Sequence, residues 1–139
     1  MIRAFAIGVA ALVAAVPAHA TSLNVHLEGV RTADGTLFVS VQTREQFMQQ
    51  TSTAGTRVAA PREGSHEFSF DVPPGDYAVT VWHDDNGNGT FDLNDQQRPL
   101  DGWAMSNSSP LRGEPTFDQV RVPVGTEVAT VRLTMAYGR

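Results

Sequence analysis

Leu23-Asn24-Val25-His26-Leu27, followed across Asp34-Gly35 by Leu37-Phe38-Val39-Ser40-Val41, is the stretch that decides the fold class. In both runs the apolar side chains fall on alternate residues, the period that gathers them on one face of a β-strand. Asp34-Gly35 supplies the positive-φ dipeptide of a tight turn, so the two runs are expected to pair as an antiparallel hairpin. Downstream, Phe68, Phe70 and Val72 repeat the pattern, Pro73-Pro74-Gly75-Asp76 interrupts it, and Tyr77, Val79 and Val81 resume it as a second hairpin. Val120, Val122 and Val124, a Gly125-Thr126 turn, and Val131, Leu133, Met135 and Tyr137 bring the strands to six. Val58-Ala59-Ala60 reads as a weaker seventh, which Pro61 confines to a sheet edge. No ten-residue stretch keeps a helical period. Arg44 to Gln50 reads either as one helical turn or as a loop pinned by Phe47. The expectation is an all-β, two-sheet antiparallel sandwich, immunoglobulin-like in architecture, with six or seven strands and one long functional loop.

Upstream of these strands, Arg3 precedes an apolar run from Ala4 to Val16, then Pro17 and Ala18-His19-Ala20. A charged start, a short hydrophobic stretch and a small-x-small site predict a cleaved signal peptide over residues 1–20. The run is too short to span a bilayer and no second one follows, so no transmembrane segment is expected. Residues 21–139 then form a single domain of about 119 residues, enough to build a core from packing alone. The expected location is periplasmic or secreted. The chain contains no cysteine, which excludes disulfides, thiolate metal sites and a lipidated cysteine. Beyond the leader, nine scattered arginines and no lysine face fifteen carboxylates, a formal charge of about −6 that gives a polyanion no counterion-release term. Nucleic acid is not an expected partner, and a lysine-dependent phosphate loop is excluded.

The segment that reads as chemistry is Asp84-Asp85-Asn86-Gly87-Asn88-Gly89-Thr90-Phe91-Asp92-Leu93-Asn94-Asp95. It opens an excursion running to Pro115, and loops of that length in compact domains are uncommon unless functional. Short oxygen-bearing side chains on alternate residues converge readily on one point, and Ca²⁺ wants six to eight oxygens. Asp84, Asn86 and Asn88, the backbone carbonyl of Thr90, and Asp92 and Asp95 are the expected ligands, with Gly89 at the sharp turn and Phe91 as a hydrophobic pin. The alternative is a metal-free rigid turn, because Asp, Asn and Gly also build Asx-turns. A strand precedes the loop, no helix follows it, and Asp95 is shorter than the bidentate Glu of a helical calcium loop, so an EF-hand is not expected.

Three blocks carry a family resemblance: Val81-Trp82-His83-Asp84-Asp85-Asn86-Gly87-Asn88-Gly89, then Pro99-Leu100-Asp101-Gly102-Trp103-Ala104-Met105-Ser106-Asn107, then Thr116-Phe117-Asp118. Together they resemble the bacterial secreted proteins of domain-of-unknown-function family 2141, over essentially the whole mature chain. Asp101 stands where that family more often has Glu, and Ala104 where it has Gly. The Pro-Pro-Gly-Asp-Tyr-Ala-Val segment is also similar to the turn and strand of prealbumin-like sandwiches, including carboxypeptidase regulatory domains. The resemblance implies an exported location and a fold, and no activity.

Of the histidines past the leader, His26 shares a face with Asn24 and Glu28 and reads as a solvated strand residue, as does His66. His83 adjoins the loop and reads either as a hydrogen-bond partner of a ligand carboxylate or as a strand-end surface residue. Trp82 falls on the face opposite Val79 and Val81. Either Trp82 and Trp103 cap the sandwich core under the loop, or with the loop they make a recognition surface that includes His83, Asp101, Trp103, Ser106 and Asn107, open to a protein, peptide or glycan partner in the envelope. No serine-hydrolase or zinc-protease motif occurs. The functional expectation is a non-enzymatic exported sandwich whose Ca²⁺ loop orders that surface. The alternatives are a small envelope hydrolase using Asp84, Asp92 or Asp101 with His83, and a transthyretin-like carrier or assembly subunit.

Overall fold

The computed structural model describes residues 20–108 and 114–138, so all of the expected leader but Ala20 lies outside the described residues. Eight strands and one short helix run in the order β1 (Thr21–Val30), β2 (Thr36–Gln42), β3 (Ala54–Ala59), β4 (Gly64–Val72), β5 (Gly75–Asp84), β6 (Gly102–Met105), α1 (Phe117–Val120), β7 (Val122–Val124) and β8 (Ala129–Thr134). They form the expected all-β, two-sheet architecture. One sheet has the order β4-β1-β8; the other has the order β3-β2-β5-β6, with β7 also paired to β5.

The alternating runs bury the faces their spacing assigns. Leu23, Val25 and Leu27 meet Leu37, Val39, Val41, Val79 and Val81 in one core, joined by Val131, Leu133 and Met135. Fully burying a Leu or Val side chain stabilises by about 1.5–3 kcal/mol, so this shared layer is what holds the two sheets together.

Pairing differs from expectation. β1 bonds to β4 and β8, while β2 bonds to β3 and β5, so the runs flanking Asp34-Gly35 lie in opposite sheets and meet across the core. The Pro-Pro-Gly-Asp turn likewise carries the chain from β4 in one sheet to β5 in the other. Both turns are corners between sheets, because alternation specifies the buried face of a strand and not its hydrogen-bonded neighbour. The β1–β8 pair is parallel, an exception to an otherwise antiparallel pattern.

Residues 54–59 do form an edge strand, ending before Pro61. Residues 44–50 form hydrogen-bonded turns rather than a helix, and Phe47 pins them by packing edge-on against Phe117. Phe117 and Val120 of α1 cover Ala78 on the outer face of the larger sheet, and the capping box at Thr116 satisfies the helix start. β5 is therefore covered on both faces. It leads directly into the acidic loop.

Candidate functional site

His83 is the last inward-facing residue of β5 before the loop, in line with Val79 and Val81, and it is fully buried. Its Nε2 lies 2.7 Å from the Asp34 carbonyl oxygen, which can only accept, so Nε2 carries the proton. Nδ1 then accepts from the Tyr137 hydroxyl at 2.8 Å, and that hydroxyl accepts from the Arg31 backbone N–H at 3.1 Å. With both nitrogens engaged inside the protein, the ring is neither a surface residue nor in bonding position to a loop carboxylate. It staples the end of β5 to the β1–β2 corner and to the C-terminal segment. A proton-transfer role for His83 in hydrolysis has no route to a substrate outside.

Burial pushes the Tyr137 phenol above the ordinary tyrosine value of 10.0. A pKa raised on folding gives stability that is complete below the unfolded value and fades as pH rises through it. Stability is therefore expected to fall above pH about 10, and Tyr137→Phe to lose part of that alkaline limb while costing about 1 kcal/mol at neutral pH. Denaturant melts of both chains from neutral to alkaline pH check this; parallel pH profiles would refute it.

The loop closes on itself through Asp84 and Asp92. Asp84 is buried, and its two oxygens accept the backbone N–H groups of Asn88 at 3.2 Å and Gly89 at 2.9 Å. Asp92 accepts the Asn86 carboxamide at 2.8 Å and the Asn88 carboxamide on both oxygens at 2.9 Å. The carboxamide oxygens accept from residues two further on, Asn86 from the Asn88 N–H and Asn88 from the Thr90 N–H, as Asx-turns do. Gly87 and Gly89 take positive φ, 66° and 74°, as the tight path requires.

Four of the six expected ligand side chains or carbonyls thus meet as side chains: Asp84, Asn86, Asn88 and Asp92. Thr90 joins through its N–H. Asp95 does not join: residues 94–98 form an inner turn in which the Asn94 side chain accepts from the Gln96 and Arg98 N–H groups, with Leu93 bridged to Pro99. Asp95 rides exposed on that turn, and among the described residues no bond links it to the ring. Among the described residues no three His, Asp or Glu side chains cluster closely enough to form a metal centre. The donor set that does converge is two carboxylates and two carboxamides, all able to offer oxygen, which is the chemistry of a hard cation.

Asp101, expected on the recognition surface, lies beneath it. It is fully buried, and its Oδ2 accepts both the Asp92 backbone N–H at 3.2 Å and the Trp82 indole N–H at 2.9 Å. One oxygen therefore ties the loop to the outer face of the larger sheet. There Phe38, Trp82 and Trp103 lie side by side across β2, β5 and β6. Phe38 and Trp82 stack with centroids 4.9 Å apart and planes 18° apart, and exposed Phe91 meets Trp82 edge-on. The tryptophans therefore lie outside the inter-sheet core and beside the loop.

Of the expected surface residues, His83, Asp101 and Ser106 are fully buried and act from beneath. Ser106 accepts the Val79 N–H at 3.0 Å and donates to the Val120 carbonyl at 2.6 Å, fastening α1 to β5. Trp103 is half-buried and Asn107 is exposed, its carboxamide donating to the Arg121 carbonyl at 2.8 Å. The inward register of His83 is visible in the Val79-Val81-His83 spacing. The partners of Asp101 and Ser106 come from distant chain and carry no local signal.

The family described as "Uncharacterized protein conserved in bacteria (DUF2141)" matches residues 25–132, a span that contains the loop, Asp101, the aromatic row and Ser106. No curated protein and no solved structure matches the chain.

Proposed function

Since the chain belongs to this bacterial family, domain-of-unknown-function family 2141, which specifies no activity, we propose from the loop's connections that it is an exported recognition module. In this reading Ca²⁺ occupies the ring of Asp84, Asn86, Asn88 and Asp92, with the Thr90 carbonyl, and orders the neighbouring aromatic surface. The observation that carries it is the shared oxygen of Asp101, which accepts from the loop at Asp92 and from the surface at Trp82. A bound cation would turn the two carboxamides so that their oxygens replace the N–H groups now facing Asp92.

The rings of Phe38 and Trp82 stack with their faces turned to each other. Ring rims favour the apolar side chains of a protein or peptide over the flat face of a sugar, so a protein or peptide partner in the periplasm or outside the cell fits best. No helix among the described residues is long and apolar enough to cross a membrane.

With only two carboxylates the affinity is expected in the range of about 10⁻⁴–10⁻³ M. At tenfold excess over its dissociation constant Ca²⁺ should stabilise the fold by about 1.4 kcal/mol, a melting shift of a few degrees that monovalent salt does not reproduce. Trp82 and Trp103 are the only tryptophans. Their fluorescence should therefore change over the same titration. An Asp84→Ala, Asn88→Ala chain that keeps the full thermal and fluorescence response would overturn the assignment.

A further inference from the structure

The loop contains two Asn-Gly pairs, Asn86-Gly87 and Asn88-Gly89, with both asparagines exposed. Asparagine followed by glycine is the pair most prone to cyclise, because no Cβ hinders the following backbone nitrogen. A Cβ at either glycine would meet nothing within 4 Å, so no neighbour shields the peptide on that side.

The two pairs are held very differently. The Gly89 N–H donates to the Asp84 carboxylate at 2.9 Å, and the Asn88 carboxamide is held by both oxygens of Asp92 at 2.9 Å. A carboxylate against an N–H opposes its deprotonation, since the resulting anion would face a like charge. Among the described residues the Gly87 N–H meets only the neutral Asp84 backbone carbonyl, at 3.3 Å. The Asn86 carboxamide has a single bond to Asp92 at 2.8 Å, and its oxygen a long one of 3.3 Å from the Asn88 N–H.

We infer that Asn86 is a site of spontaneous conversion to aspartate and isoaspartate, and that the carboxylates of Asp84 and Asp92 protect Asn88 from the same reaction. The Gly87 nitrogen loses its proton to water and bonds to Asn86 Cγ. The Cγ–Nδ2 bond breaks, and the departing nitrogen takes a proton back from water and leaves as ammonia. Water then opens the succinimide at either carbonyl, giving aspartate or isoaspartate. The product places a carboxylate where a carboxamide donor met Asp92, turning an attraction into a repulsion. Isoaspartate also lengthens the backbone by one carbon and breaks the Asx-turn. The loop is thereby released with age. The inference rests on the loop's hydrogen bonds and not on any bound ion.

The test is peptide mapping by mass spectrometry of the full chain aged at mildly alkaline pH with a Ca²⁺ chelator present, with isoaspartate assigned by methyltransferase labelling. Asn86 should convert severalfold faster than Asn88 in the folded chain, and the difference should vanish in urea. Asp84→Asn, checked for folding by circular dichroism, should bring the Asn88 rate up toward that of Asn86. Conversion of Asn88 first, equal rates in the folded chain, or no conversion at Asn86 while the unfolded chain reacts would each overturn the inference. If Asp84→Asn does not fold, the folded-against-urea comparison on the parent chain decides alone.

Discussion

Gly35→Ala is expected to lower stability by about 2–5 kcal/mol, a drop in melting temperature on the order of 10 °C or more. Gly35 sits at φ 71°, and a Cβ built there would stand inside the Asp84 carbonyl oxygen and 2.9 Å from Asp85 Cα. Left-handed backbone costs a non-glycine residue roughly 1–2 kcal/mol, and overpacking against rigid main chain about 1–3 more. The obstructing atoms are backbone, so no rotamer change relieves them. The β1–β2 corner must retreat, which also strains the bond from His83 to the Asp34 carbonyl. Calorimetry or a circular dichroism melt reads the effect. A parent-like melting temperature would mean that the corner does not bear on the loop's first peptide.

Asp101→Ala is expected to cost a further class of stability, about 2–5 kcal/mol, by leaving the Asp92 and Trp82 N–H groups without their acceptor. Each stranded donor in a water-poor site costs about 1–3 kcal/mol. The loss should be local in character as well as global. Tryptophan fluorescence should shift to the red and residues 84–100 should become the first point of proteolysis, whereas Asp101→Asn, which keeps a carbonyl acceptor, should lose less. If Asp101→Ala melts and fluoresces like the parent, the carboxylate is not what joins loop to surface.

Much of this architecture is legible in the chain because two-residue periodicity is a direct image of a half-buried strand. Leu23, Val25 and Leu27, or Val79 and Val81, leave no other economical placement. Which strand lies beside which is not written locally. Asp34-Gly35 suits a tight turn whether the flanking runs bond to each other or part into two sheets, and it does the second. β6 escapes because Gly102-Trp103-Ala104-Met105 is too short to establish a period and its neighbour β5 is distant in sequence. At the loop, alternating Asp and Asn reveal the convergence of Asp84, Asn86, Asn88 and Asp92. Asp95 stands apart because the inner turn at Asn94 adds chain between it and the ring. Asp101 and Ser106 look like surface residues by polarity alone; their burial depends on remote partners that satisfy them.

The parallel pairing of β1 with β8 joins Thr21–Val30 to Ala129–Thr134, the first strand to the last. The smaller sheet therefore cannot close until the chain through Thr134 has left the ribosome. Contacts spanning so much sequence make folding slow, because loop-closure entropy is paid before the pairing is gained. Under the proposed export, that delay is useful. It defers the chain's commitment to a compact form until β8 arrives, which would keep it threadable for export.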